Sequence, residues 1–313
     1  MLCKTVVRRA LLLHLTGTRI RTYAAMATPP QSFQLDRSIF NQSFYAEIRD
    51  FWFAGLPPKA SAPPFELTKR WWGVSRTEEQ KSAFDEECRT LSMPALDSIG
   101  PSKLGLSSFK SYEEEVEQAD TLSAPFLAEV KEAQKEDERK GAETMLSLIL
   151  LLDQMPRNIY RDQEGLRLVY GHYDRLVHAL LRSCMALKPS PVEHEYWRGK
   201  PVYKTWILMP LVHTEHLSTH RLLNERMAQL RKECEDAEDE AALAYTDRGA
   251  KAHAEHWTPL ERFGRYPHRN ECLGRKNTAE EEEFMETAET FGVKQNTDKK
   301  EKEKKKQEVK SEL

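Results

Sequence analysis

Between Met145 and Leu152 only Ser147 interrupts an apolar run, and Gly141 and Pro156 bracket it. A helix that is apolar on every side cannot rest on a surface. Other elements must enclose it, so this segment marks the centre of a core. It is the longest mainly apolar stretch of the 313 residues, and a bilayer span needs about 20 such residues. No transmembrane segment is therefore expected.

Periodicity supplies the enclosing elements. Ile39, Phe40, Phe44, Ile48 and Phe51 or Trp52 recur every three or four positions, with Asp36 as N-cap and Gly55 as stop. Ser75 and Glu78 have the spacing of a capping box ahead of a helix that buries Phe84, Cys88 and Leu91. Ser123-Ala-Pro opens a helix through Phe126, Leu127 and Val130. Gly141 introduces the central helix, Pro156 ends it, and another amphipathic helix runs from about Glu164 to Met185. A polar stretch from Val192 to Lys204 reads as an insertion. Beyond it come a helix from Trp206 to Leu230, a long one from Ala241 that ends at Gly264, and a last one capped by Thr278 and Glu281 and stopped by Gly292. No segment alternates with strand period. The expectation is an all-α domain over residues 36–293, of eight to ten helices packed as antiparallel pairs.

The formal charge of −3 conceals an asymmetry. Residues 1–35 carry five Lys or Arg and no acid, residues 294–313 carry eight Lys against five acids, and the body between holds 34 basic and 45 acidic residues, a net of −11. Such a body repels a polyanion, which excludes generic nucleic-acid binding. Trp71, Trp72, Trp206 and Trp257 are accordingly read as packing residues. The acid-free, arginine- and hydroxyl-containing start has the composition of a mitochondrial transit peptide, so 1–35 is read as a presequence and the matrix as the address. A second start at Met26 would give a cytoplasmic form. The Lys/Glu-rich tail, 294–313, is expected to be disordered. Five cysteines without a C-x-x-C pair read as reduced thiols.

Three polar clusters stand where a helical core has no need of them. Asp153-Gln154-Met155-Pro156-Arg157-Asn158 follows directly on the apolar run. His213-Thr214-Glu215-His216 precedes His220. Arg262-Phe-Gly-Arg265-Tyr-Pro-His268-Arg269-Asn270 puts three arginines within eight residues. Two readings are open. The groups form an internal network of ion pairs and caps, or they meet in one pocket. There Asp153, Gln154, Arg157, Asn158, Arg262, Arg265, Arg269 and Asn270 would bind a small anion, because guanidinium forks match carboxylate and phosphate oxygens. His213 or His268 would then move a proton, with Glu215 as orienter or base. His213, His216 and His220 share a helical face, as do His253 and His256, but neither set has the H-E-x-x-H spacing of a zinc protease, and no metal or other cofactor is assigned.

FWF at Phe51 to Phe53, LLDQMPRNIYR at Leu151 to Arg161, MPLVHTEHL at Met209 to Leu217 and RFGRYPHRNECLGR at Arg262 to Arg275 resemble, in order and spacing, the signature blocks of the domain of unknown function 924 family. The resemblance covers roughly Ile48 to Phe291. It implies a helical fold similar to tetratricopeptide-repeat proteins and no established reaction. The chain departs from it in the 192–204 stretch, in Pro259 and at both termini. Two functions remain in view: a site for a small anionic ligand or metabolite with acid–base chemistry, and a non-catalytic helical scaffold that binds a peptide or protein. Oligomeric state is not legible.

Overall fold

Every residue from Met145 to Leu152 is buried, Ser147 included, in the computed structural model, which describes residues 33–288. In chain order the helices are α1 (Gln42–Trp52), α2 (Phe65–Trp72), α3 (Glu78–Ser98), α4 (Tyr112–Glu117), α5 (Ala119–Leu122), α6 (Ala124–Glu136), α7 (Glu138–Ile149), α8 (Met155–Ile159), α9 (Gln163–Leu168), α10 (Asp174–Ala186), α11 (Pro201–Val212), α12 (Leu217–Asp236), α13 (Glu240–Phe263) and α14 (Ala279–Met285). Ten of them have seven or more residues, and no strand occurs among the described residues. The fold is all-α, as the periodicity requires.

Helix α7 touches α1, α6, α10 and α11. Each leucine enclosed there contributes about 1.5–3 kcal/mol by leaving water. Neighbours in sequence pack on one another, α6 on α7 and α12 on α13. Close approach of α6 and α7 depends on Gly141, where a Cβ would come within 2.6 Å of the Gln134 Cβ. Gly141 therefore packs inside α7 and does not introduce it; that role falls to Asp137, whose carboxylate accepts from the Lys140 N–H.

Two π-helical turns interrupt the inner helices. Leu150–Gln154 joins α7 to α8 and Val169–Tyr173 joins α9 to α10. In each, a backbone N–H reaches the carbonyl five residues back, Met155 to Leu150 and Asp174 to Val169. Pro156 consequently does not end the helix. A proline lacks an N–H and crowds the carbonyl four residues back, but here the widened turn precedes it and the chain runs on to Ile159.

Other boundaries shift for local reasons. The N-cap of α1 is Asn41, which accepts from the Phe44 N–H, while Asp36 holds a preceding turn through Ser38. The capping box of α3 is Thr77 with Gln80, since Ser75 lies in the left-handed region (φ 56°) of the turn before it. The 192–204 stretch is not an outlying insertion. Val192 and Trp197 are buried, and the Lys204 ammonium donates to the Val192 carbonyl at 2.9 Å. Thr278 and Glu281 do form a capping box, but α14 closes at Met285. Gly292, the tail and residues 1–32 of the presequence lie outside the described residues. Among the described residues no helix is long and apolar enough to cross a membrane.

Candidate functional site

The first π turn delivers Asp153 and Gln154 to the end of α7, the second delivers Tyr170 and Asp174 to the start of α10, and the two ends are tied by Arg157. Its guanidinium grips Asp174 with two parallel bonds, Nη1 to Oδ1 at 2.7 Å and Nη2 to Oδ2 at 2.9 Å, and Nη1 also donates to the Asp153 carbonyl at 3.0 Å. π turns are frequent at functional sites because the extra residue in the ring re-aims the side chains that follow.

At the C-terminal end of α11, the apolar run continues through Pro210 to Val212 and His213 caps the helix. Its Nδ1 lies 2.8 Å from Asp153 Oδ1. Burial, followed by the Arg157 charge, lowers the His213 pKa below the ordinary 6.5 despite the pull of Asp153. Burial pushes Asp153 up, but the His213 and Arg157 charges and the hydrogen bonds from His213 and Gln154 bring it below its usual 3.8. Near neutral pH the pair is a carboxylate and a neutral imidazole whose proton is on Nδ1, so Nε2 is the basic nitrogen. Asp153 is the orienter of His213.

The Pro267–Arg269 turn brings Arg269 against the same cluster. Arg269 Nη1 donates to the His213 carbonyl at 2.9 Å and lies 3.8 Å from Asp174 Oδ2. The guanidinium lies over the Tyr170 and Tyr266 rings, 4.2 and 4.7 Å from their centroids. DQMPRN, HTEH and PHRN thus meet through Asp153, Arg157, His213 and Arg269.

A narrow cleft of about 20 Å3 opens at this junction, room for about one water. Arg269, His213, Asp174 and Tyr170 line it, together with Tyr112 and Glu115 from α4 and His178 from α10. Three buried polar atoms on its lining residues have no hydrogen-bond partner: Arg269 Nε, His178 Nε2 and Glu115 Oε2. These residues are 5, 2 and 5% exposed. Unpaired buried groups cost about 1–3 kcal/mol each. Tyr112 Oη accepts the Glu215 N–H at 3.0 Å, which leaves the hydroxyl proton to be donated.

The remaining candidates stand elsewhere. Glu215 does not orient His213; Arg275 holds it with two bonds of 2.6 and 2.7 Å and the Tyr266 N–H adds a third at 2.8 Å. Burial raises this carboxyl, and the Arg275 bonds with the Arg269 and Arg275 charges bring it below 4.5. His268 stacks on Tyr266, 5.4 Å between rings, and is not a lining residue of the cleft. Gln154 donates to Asp153, and its carbonyl takes the Asn158 amide at 2.9 Å, while Asn158 Oδ1 takes Arg161. Arg262 and Arg265 reach Glu280 and Glu281 of α14 at 2.9 and 2.6 Å, and Asn270 donates to Asn277 and Glu281.

Asp174, His178, Glu115 and Tyr112 escape the reading of motifs. A signal existed: Tyr170, Asp174 and His178 fall at i, i+4 and i+8 on an otherwise apolar helix face. The histidines read as a shared face divide. His220 Nε2 donates to the Thr214 carbonyl at 2.9 Å and its Nδ1 faces His253 Nε2 at 2.9 Å, whereas His216 turns to Glu113 and stacks on Tyr112. Cys272 donates to the Arg269 carbonyl and burial raises its thiol pKa, as befits a structural residue.

The profile of the bacterial proteins of unknown function called DUF924 matches residues 48–289. The solved structure of a protein of unknown function from Agrobacterium tumefaciens, ATU0120, is similar at 21% identity, with 78% of this chain and 97% of that chain covered and a TM-score of 0.44. No match was found among curated proteins.

Proposed function

The chain belongs to the DUF924 family, and on that premise we propose that the cleft between α4, α10 and the Pro267–Arg269 turn binds a small carboxylate-bearing molecule on Arg269, beside a proton-transfer pair formed by His213 and Asp153. The observation that carries this reading is Arg269 itself, a residue that lines that cleft and whose buried Nε–H has no partner. An anionic oxygen supplies the acceptor that this donor lacks. His213 Nε2 takes a proton from the ligand, and the imidazolium so formed is held against the Asp153 carboxylate, 2.8 Å from Nδ1.

Thermal unfolding with acetate, phosphate and chloride as additives tests it. Acetate raises the Tm of the full chain beyond the chloride control, since a ligand bound only by the folded state stabilises it. In Arg269→Lys the charge beside Asp174 is kept and the fork is lost, so the acetate shift disappears. An equal shift in both proteins contradicts the reading.

A second reading rests on Phe65, Trp72 and Val74, which are 65, 46 and 49% exposed around α2. Apolar exposure of this kind suits a protein-binding surface. Replacing Phe65, the most exposed of the three, by Ser would leave folding intact and abolish co-purification of a partner if this surface is the function. A matrix address is the companion proposal, carried by the composition of residues 1–35. Fractionation of cells that express the chain from Met1 or from Met26 tests it.

A further inference from the structure

The cleft has room for about one water, and acetate is larger, so a wall must move when a carboxylate enters. The walls are not equally free. Helix α10 buries Leu176, Val177, Leu180 and Leu181, α11 buries Trp206, Ile207, Leu208 and Leu211, and Pro267, His268 and Arg269 are buried in their turn. The remaining wall is α4, which supplies Tyr112 and Glu115. It hangs on a stretch without helix that begins after Ser98. From Pro101 to Gln118 the one buried residue is a carboxylate, Glu115, and Leu106 is only partly buried, against Ala119, Leu122 and Ala179. A segment with no fully buried apolar side chain gains little from the core and detaches at low cost.

Polar contacts hold this segment down, and several converge on Arg175. Its Nε donates to Glu115 Oε1, its Nη2 donates to the Ser107 carbonyl at 2.7 Å, and its guanidinium lies 5.8 Å from the centroid of the Phe109 ring. Phe109 is 47% exposed and meets Tyr112 edge-on at 5.0 Å. On the opposite side Tyr112 Oη takes the Glu215 N–H at 3.0 Å, and its ring stacks on His216 at 5.3 Å. Lifting the segment parts Arg175 from Glu115, but it returns both charges to water. The large cost of stranding one of them in the interior is thereby avoided.

We propose that residues 101–118 are a flap, latched by Arg175, that lifts as a unit to admit the ligand and recloses over it. The flap is bounded by Gly100, whose carbonyl accepts the Lys103 and Leu104 N–H groups, and by the break between α4 and α5 at Gln118. This rests on the carboxylate reading above and adds the element that governs access to that site.

Amide hydrogen exchange of the full chain, followed residue by residue by NMR, tests it. The reporters are the Glu115 and Gln118 N–H groups inside the flap, which donate to the Ser111 and Glu114 carbonyls, and the Glu215 N–H outside it, which donates to Tyr112. All three exchange at one common opening equilibrium, about a hundredfold or more above that of α7. Arg175→Lys, whose ammonium cannot hold Glu115 and Ser107 together, speeds all three by about tenfold and leaves α7 unchanged, the effect of losing one or two hydrogen bonds. Phe109→Ala removes a half-exposed ring and acts in the same direction by a smaller factor. Saturating acetate slows the three, because a ligand held under the closed flap opposes its opening. If Glu215 stays as protected as α7 while the α4 amides speed up, α4 frays without opening the cleft and the inference is overturned. Acetate that raises the Tm but leaves the three amides unslowed also overturns it, and the carboxylate site stands. If acetate gives no Tm shift, the carboxylate reading fails, and the inference, which rests on it, fails too.

Discussion

Arg265 and Arg269 are four residues apart in one motif, and they end in opposite circumstances. Arg265 leaves α13 at Gly264, whose left-handed φ of 68° turns the chain, and closes on Glu281 with two bonds of 2.6 and 2.8 Å. The pair fastens α14, and Glu281 is drawn down to about 2, chiefly by the hydrogen bond from Arg265. After Pro267 the chain turns inward. There Arg269 is enclosed by two tyrosines, keeps one backbone acceptor at close range and has a buried Nε–H with no partner. Arg265 closes on a carboxylate with two short bonds and fastens the structure, whereas Arg269 approaches its carboxylate, Asp174, only to 3.8 Å, and the proposed function uses that difference.

The largest effect belongs to the inner region. Arg157→Ala leaves Asp174 and Asp153 buried without their main cation, and urea unfolding should show a loss of about 3–5 kcal/mol. A loss below 1 kcal/mol would mean that the inner network is no more important to the fold than the outer one.

Acid should find the same weakness. Burial depresses His178 to about 3 and His220 to about 4, and it also lowers His172, His213, His253, His256 and His268. Below 6.5 the unfolded chain takes up protons that the folded chain refuses, so stability is lost as the pH falls from 6.5 toward those folded values. Each fully depressed histidine contributes a loss of about 2 kcal/mol between pH 6.5 and 5. Urea midpoints across that window should correspond to at least two protons taken up on unfolding. A flat profile would show that the histidine cluster is not held neutral.

Smaller effects belong to the outer region. Arg265→Ala removes charge-assisted bonds from a buried carboxylate and should cost about 1–2 kcal/mol, without altering acetate binding in calorimetry. Arg262→Ala breaks a pair whose side chains are 43 and 61% exposed, and its change in Tm should be close to nothing. If either variant weakened acetate binding, the division between fastening and binding arginines would fail.

The sequence announces the central helix because an apolar run has no alternative to burial, and it announces the polar blocks because charge at the end of such a run must find partners. It does not show which partner each group finds. Nothing in LLDQMPRN marks the π turn that carries the helix past Pro156, because a proline inside a helical pattern ordinarily breaks it. Glu215 lies two residues after His213 and reads as an orienter or base for His213 or His268, yet its partner, Arg275, is sixty residues away. The spacing of Tyr170, Asp174 and His178 marks a polar stripe on an apolar face but not the groups it meets. That Asp174 is shared by Arg157 and Arg269, and that Glu115 lies near His178, follows only from the packing of α4, α10 and the Pro267–Arg269 turn.

Nitrogen-15 NMR of the arginine Nε–H groups tests the central claim most directly. One Nε–H resonance, absent from Arg269→Lys, should move downfield and saturate as acetate is added, as expected of a buried donor that gains an anionic acceptor. If the Arg269 resonance stays in place while acetate is added, the cleft does not take a carboxylate there, and the account fails.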